Sequence, residues 1–173
     1  MFCLHALPFC GKREPSEHPQ KGVSALSIQD NKRIVRSEFE EIWNQGKLDL
    51  IGTYYSADFI NFGRPCPLDR LHQIFEAWRT AFPDLHFAID VQIAEGDQVL
   101  SLCTLSGTHL GPFVLLQLWS LPPTGKRFSV RQMHLHRLRD GQIVEYWAVR
   151  EDLGMLQQLG VIPAPVHGHV PES

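Results

Sequence analysis

No stretch of the chain approaches the roughly 20 consecutive apolar residues that a bilayer-spanning helix requires, so no membrane role is expected. Cysteine is scarce. Cys3, Cys10, Cys66 and Cys103 show neither a CxxC pair nor zinc-ligand spacing, and Cys103 falls in a strand pattern as a small core hydrophobe. An excess of positive charge is also missing. The 16 Lys and Arg are outnumbered by 19 Asp and Glu, and the net charge of −3 gives no reason to expect nucleic acid. The mildly apolar start lacks preceding basic residues, since Lys12 and Arg13 follow it, and no clean small-residue cleavage site comes after. A cytoplasmic protein with reduced thiols is expected. There is no phosphate-cradling glycine loop, nucleotide fingerprint, Ser-His-Asp set, internal repeat or low-complexity tract.

What remains is an ordinary globular composition, 173 residues with 43% hydrophobic and 20% charged, enough for one domain with a real core. Residues 1–26, with Pro8, Pro15 and Pro19 among polar residues, read as a flexible extension. Residues 27–163 read as the domain and 164–173, with His167 and His169, as a tail without a role. A helix is expected from about Ile28 to Gln45, on the stripe Val35, Phe39, Ile42 and Trp43, ended by Gly46. A short helix around Leu48–Tyr55 and a strand at Asp58–Phe62 follow. A third helix spans Leu68–Phe82, with Leu71, Ile74, Phe75, Trp78 and Phe82 in one stripe and Pro83 as its stop. Thereafter the pattern is β. Leu85–Ala94 and Gln98–His109 flank Glu95-Gly96-Asp97, Lys126–Arg139 and Gln142–Arg150 flank Asp140-Gly141, and a last helix covers Leu153–Leu159. Helices first and a meandering antiparallel sheet afterwards indicate an α+β fold, its curved sheet wrapped over three helices around a conical cavity. The apolar connection Gly111–Pro123 is either packed on the core or a lid over the cavity mouth.

One strand carries the chemistry. Alternation places Phe128, Val130, Gln132, His134, His136 and Leu138 on one face, while Arg127, Ser129, Arg131, Arg137 and Arg139 occupy the solvated one. The buried face is apolar at its ends and polar at its centre. An unpaired buried polar group costs roughly 1–3 kcal/mol, so neighbours must bond these side chains or a ligand must meet them. His-x-His at His134 and His136 also suits a metal, but no third ligand stands at a companion spacing, and no metal is expected.

Phe82-Pro83-Asp84-Leu85, Ala94-Glu95-Gly96-Asp97, Gly107-Thr108-His109, Pro122-Pro123-Thr124-Gly125, Asp140-Gly141-Gln142-Ile143, Glu145-Tyr146-Trp147 and Gln157-Gln158-Leu159-Gly160 occur in order across residues 28–163. This ordered set resembles the SnoaL-like polyketide cyclase (ester cyclase) family. The resemblance implies the cone-shaped α+β barrel of the nuclear transport factor two superfamily, without a cofactor and as a homodimer or higher homo-oligomer. It also implies intramolecular aldol ring closure on an aromatic polyketide ester. The family's pocket glutamine and histidine fall on Gln132 and His134, but the place of its catalytic aspartate falls on Ala148, which cannot transfer a proton. The connection after Gly111 is also longer than is usual for the family.

A replacement carboxylate is therefore sought. If Asp140-Gly141 is a two-residue turn, His136 faces Glu145 and His134 faces Trp147. If Arg139-Asp140-Gly141 is a three-residue loop with a bulge, His134 faces Tyr146, Gln132 faces Ala148, Tyr146 and Arg150 point inward and Glu145 outward. The resemblance favours the second register. Asp152 either caps the last helix or forms an acid or anion-binding pair with Arg150 at the rim. His109 is a pocket-mouth histidine or a turn stabiliser, and Asn61, Tyr55 and His136 offer polar contacts to a ligand. The expected activity is cofactor-independent cyclisation or isomerisation of a hydrophobic polyketide-like metabolite. His134 would move the proton, Gln132 and Tyr146 would hold a carbonyl or enolate, and Glu145 or Asp152 would supply the carboxylate. Epoxide opening in the same pocket and a non-catalytic binding module are the alternatives.

Overall fold

The computed structural model describes residues 27–115 and 119–163. The expected extension at 1–26, the tail at 164–173 and the tip of the 111–123 connection lie outside the described residues.

Helix α1 (Ile28–Glu38) starts at a capping box in which Ser27 and Asp30 satisfy each other's end of the first turn. It does not remain α-helical to Gln45 as expected, because Phe39–Asn44 continues as a π-helical stretch. The wider turn leaves carbonyls without α-type partners at its end, and Arg79 donates to the Trp43 carbonyl at 2.5 Å. A 3₁₀ turn (Leu48–Leu50) leads into the single turn α2 (Ile51–Tyr54), and strand β1 (Tyr55–Asn61) begins three residues earlier than Asp58. Phe62-Gly63, both at positive φ, turns β1 into the two-residue strand β2 (Arg64–Pro65). Helix α3 (Leu68–Ala81) is followed by β3 (His86–Glu95) and β4 (Gln98–Thr108). The 111–123 connection contains a small hairpin, β5 (Phe113–Leu115) with β6 (Trp119–Leu121), with Phe113 and Leu121 buried. Strands β7 (Arg127–Arg139) and β8 (Gln142–Arg150) and helix α4 (Asp152–Gln158) complete the domain.

The main sheet has the order β2-β1-β8-β7-β4-β3. Its pairs are antiparallel except β1 with β8, a parallel pairing that a simple meander does not contain. The inner face packs α1 and α3 around Phe39, Phe59, Phe75 and Phe82, each almost fully buried. Asn44 closes an edge: its side chain accepts from the Phe87 N–H at 2.8 Å and donates to the Phe87 carbonyl at 3.0 Å. The outer face is unusually apolar. Ile93, Leu100, Leu135 and Trp147 align across four strands, as do Val91, Leu102, Met133 and Val149. Of these, Ile93 is 61% and Val149 68% exposed.

The β7–β8 register corrects both alternatives read from the sequence. The turn at Asp140-Gly141 has two residues, pairing Arg139 with Gln142 and Leu138 with Ile143. Val144 is then bulged, so Arg137 pairs with Glu145, His136 with Tyr146, His134 with Ala148 and Gln132 with Arg150. Both Ile143 and Val144 are buried, as expected where a bulge lets successive side chains face the protein.

Candidate active site

A cavity of about 590 Å³ opens between the inner face of the sheet and α3. Aromatic and aliphatic side chains form most of its wall, including Trp43, Phe59, Phe75, Trp78 and Phe113. Gln132, His134, Tyr146, Asn61, Tyr55 and Arg150 are among its polar groups, with Arg70 and Gln73, so six of the residues singled out in the sequence share one cavity. Among the described residues no aspartate or glutamate lines it, and its charged groups are Arg70 and Arg150.

The bulge at Val144 aims the β8 side chains. It turns Tyr146 and Arg150 inward and leaves Glu145 outside, where Arg137 donates to it twice, at 2.8 and 2.5 Å, and the Trp147 indole donates at 3.0 Å. These bonds hold the Glu145 carboxyl below its usual range. Glu145 therefore does not reach the cavity. Asp152 begins α4 rather than capping it, since Glu151 occupies the cap; its carboxylate pairs with Arg150 at 3.1 Å. Asp152 thus forms the rim pair with Arg150 and is not part of the cavity wall. His109 is also separated from the cavity. Its Nδ1 lies 3.2 Å from the Thr124 hydroxyl and its ring packs on Phe82, in the role of a turn and core residue.

His134 is 1% exposed, and its Nδ1 lies 2.7 Å from the Tyr146 hydroxyl. Phe39 and Phe87 meet the imidazole edge-on, which fixes the ring plane. Burial and, secondarily, the Arg150 charge push the His134 pKa down to about 3, so the ring is neutral near pH 7. With one nitrogen occupied by Tyr146, the other, Nε2, is buried without a hydrogen-bond partner, as are Gln132 Nε2 and Asn61 Oδ1. Three unsatisfied polar atoms on side chains lining one apolar cavity are a costly arrangement unless something binds there.

His136 sits behind this layer. It is 1% exposed, stacks at 17° to the His134 ring, and is pushed to about 3 by burial. It does not line the cavity. Its neighbour is a residue the sequence reading missed, Glu38. That carboxyl is fully buried, accepts from the Tyr55 hydroxyl at 2.5 Å, and lies 3.9 Å from His136 Nε2. A signal was available. Asn31, Val35, Glu38, Phe39 and Ile42 share the inward stripe of the first helix, so Glu38 interrupts an apolar face.

Residues 33–159 match the family described as SnoaL-like polyketide cyclase. The nogalonic acid methyl ester cyclase of Streptomyces nogalater is 32% identical over 127 residues, covering 68% of this chain and 89% of that protein. The aklanonic acid methyl ester cyclase DnrD of Streptomyces peucetius is 32% identical over 127 residues, covering 69% and 84%. AclR of Streptomyces galilaeus, provisionally assigned as a hydroxylase, superposes with a TM-score of 0.70 at 28% identity, covering 82% of this chain and 87% of its own. The matched span contains every strand of the sheet and every residue of the polar cluster, and on that basis the chain belongs to the SnoaL-like polyketide cyclase family.

Proposed function

We propose that the protein is a cyclase that closes a ring in a polyketide ester bound in the 590 Å³ cavity. The observation that carries this is that His134, Gln132 and Asn61, each with a buried polar atom that lacks a partner among the described residues, line one otherwise aromatic pocket, in a chain whose relatives are polyketide methyl ester cyclases. In an intramolecular aldol closure the enol carbon bonds to the ketone carbon, and the enol O–H proton ends on the former ketone oxygen. No atom is gained or lost. His134 Nε2 handles that proton, and the Gln132 amide donates to the oxygen that becomes negative as the bond forms. Tyr146 orients His134 through Nδ1. The two arginines and, among the described residues, the absence of a wall carboxylate suit a ligand rich in carbonyl and phenolic oxygen.

Epoxide opening gains no support. It calls for an inward carboxylate within hydrogen-bond reach of a histidine, and Glu38, at 3.9 Å from His136, neither reaches it nor lines the cavity. A pure binding module would not need a neutral histidine clamped by a tyrosine. The test is incubation with aklanonic and nogalonic acid methyl esters. Ring-closed isomers of unchanged mass are expected, and His134→Ala should reduce kcat by about 10²–10⁴-fold, the usual worth of a positioned acid–base group. Turnover within a few-fold of wild type in His134→Ala would reject the assignment.

We also propose a cytoplasmic homo-oligomer in which the outer sheet face packs on a second copy. Two apolar rows span four strands there, and the neighbouring Arg137–Glu145 pair offers both signs of charge to a two-fold partner. Ile93→Lys with Val149→Lys should yield monomers by light scattering, whereas an unchanged mass would place the interface elsewhere.

A further inference from the structure

The cyclase reading leaves a buried carboxyl unused. Glu38 is fully buried on α1, and its two oxygens have different fates: Oε1 meets the Tyr55 hydroxyl at 2.5 Å, and Oε2 has no hydrogen-bond partner. Tyr55, from β1, lines the cavity that holds His134 while its hydroxyl contacts Glu38, so one side chain touches both. The titratable groups around Glu38 are Tyr54 from α2, Tyr55 from β1, Cys103 from β4, His136 from β7 with His134 stacked on it, and Tyr146 from β8. Burial keeps all of them neutral near pH 7. It holds both histidines at about 3, lifts the Cys103 thiol to about 12 and raises all three tyrosines. No cation of the cluster offsets a Glu38 charge.

We propose that Glu38 is a positioning residue that acts through Tyr55, its proton deciding whether the Tyr55 hydroxyl donates inward to Glu38 or outward to a substrate oxygen in the cavity. A hydroxyl has one hydrogen and can accept as well as donate, so one short contact admits both directions. When Glu38 carries its proton, the carboxyl O–H donates to the Tyr55 oxygen and the tyrosine hydrogen is free for the ligand. When Glu38 is ionised, it accepts from Tyr55 and the cavity loses a donor. Only this carboxyl proton is gained or lost, and no covalent bond between heavy atoms changes. The proton-holding function that Ala148 cannot supply beside His134 is thereby placed one layer deeper, behind Tyr55. Desolvation favours the protonated form, raising the carboxyl to about 8.

This inference rests on the cyclase reading for its role in turnover, but not for its physical test. The full chain carrying ¹³C-carboxyl glutamate and ¹³Cζ tyrosine is titrated by NMR, with Glu38→Gln and Tyr55→Phe identifying the two signals. The Glu38 and Tyr55 signals should move together with a midpoint well above that of an exposed glutamate, and the Tyr55 signal should be flat in Glu38→Gln. A Glu38 midpoint below about 6, or a Tyr55 signal that ignores Glu38, overturns the proposal whatever the activity. With aklanonic acid methyl ester as probe, wild-type kcat should fall at least ten-fold above the Glu38 midpoint. Glu38→Gln, whose amide N–H replaces the carboxyl O–H toward Tyr55, should keep most of the neutral-pH kcat and lose that alkaline limb. Tyr55→Phe should lower kcat more than it changes KM. Turnover with an alkaline limb that Glu38→Gln leaves in place sinks the Glu38 role alone. Coupled NMR signals without turnover of either ester sink the cyclase reading alone.

Discussion

His134 differs from a free histidine in two ways that make its behaviour testable. Burial pins it neutral, with a pKa of about 3, and Tyr146 occupies Nδ1, leaving Nε2 as the nitrogen without a partner. Activity should therefore show no acidic limb near the ordinary histidine value of 6.5, and kcat should stay level as the pH is lowered from 7 to about 5. A limb centred at 6–7 that disappears in His134→Gln would contradict this. The alanine opposite His134 permits a complementary experiment. Ala148 is its register partner on β8 and half-buried. Ala148→Asp puts a carboxylate beside the ring, and an opposite charge favours the imidazolium. The His134 pKa should rise from about 3 toward neutrality, visible in imidazole ¹⁵N shifts, at some cost in stability. No movement would mean that the Asp side chain turns away from the ring.

At the scale of elements, one bulged residue decides what the site contains. Gln132, His134 and the inward direction of Tyr146 and Arg150 were legible in the sequence, because strand alternation and the family pattern agree there. The actual pairing was not. A two-residue turn at Asp140-Gly141 is compatible with either face until Val144 slips, and a bulge has no compositional marker in a run such as Ile143-Val144-Glu145. Glu38 is hard to see for a related reason: apolar residues carry the helix period, and a single carboxylate on the stripe does not change it. From the sequence Phe62 reads only as the end of the Asp58–Phe62 strand. Phe62 sits at φ 49° in the cavity wall, with the Arg150 guanidinium 5.9 Å from its ring centre. A left-handed conformation costs a bulky residue roughly 1–2 kcal/mol, strain that a site retains when the side chain is useful. Phe62→Gly should relieve that strain, with little loss or even a small gain in unfolding free energy, while raising KM several-fold. A clear fall in stability without a KM change would assign Phe62 to the core instead.

Across the whole molecule, the buried polar cluster imposes a pH profile on folding. The two histidines have folded pKa values depressed from 6.5 to about 3, so their contribution is present above 6.5 and is lost as the pH falls from there toward 3. Glu38 has a folded pKa raised from 4.5 to about 8, so its contribution is complete below 4.5 and is lost as the pH rises from there through 8. Each group acts with a slope of about 1.4 kcal/mol per pH unit within its window. Between pH 4.5 and 6.5 two rising slopes oppose one falling slope, and above 6.5 only the Glu38 slope remains from this cluster. Stability should therefore peak near pH 6.5 and decline toward pH 8. In a chain of this length that decline corresponds to several degrees of melting temperature. Glu38→Gln carries no ionisable carboxyl and should abolish the decline above 6.5 and steepen the rise between pH 4.5 and 6.5, where the His134 and His136 slopes are then unopposed. Thermal melts of both proteins across pH 5–8.5 decide the matter: parallel curves above pH 6.5 would show that Glu38 is already ionised in the folded state, and that some other group drives the alkaline loss.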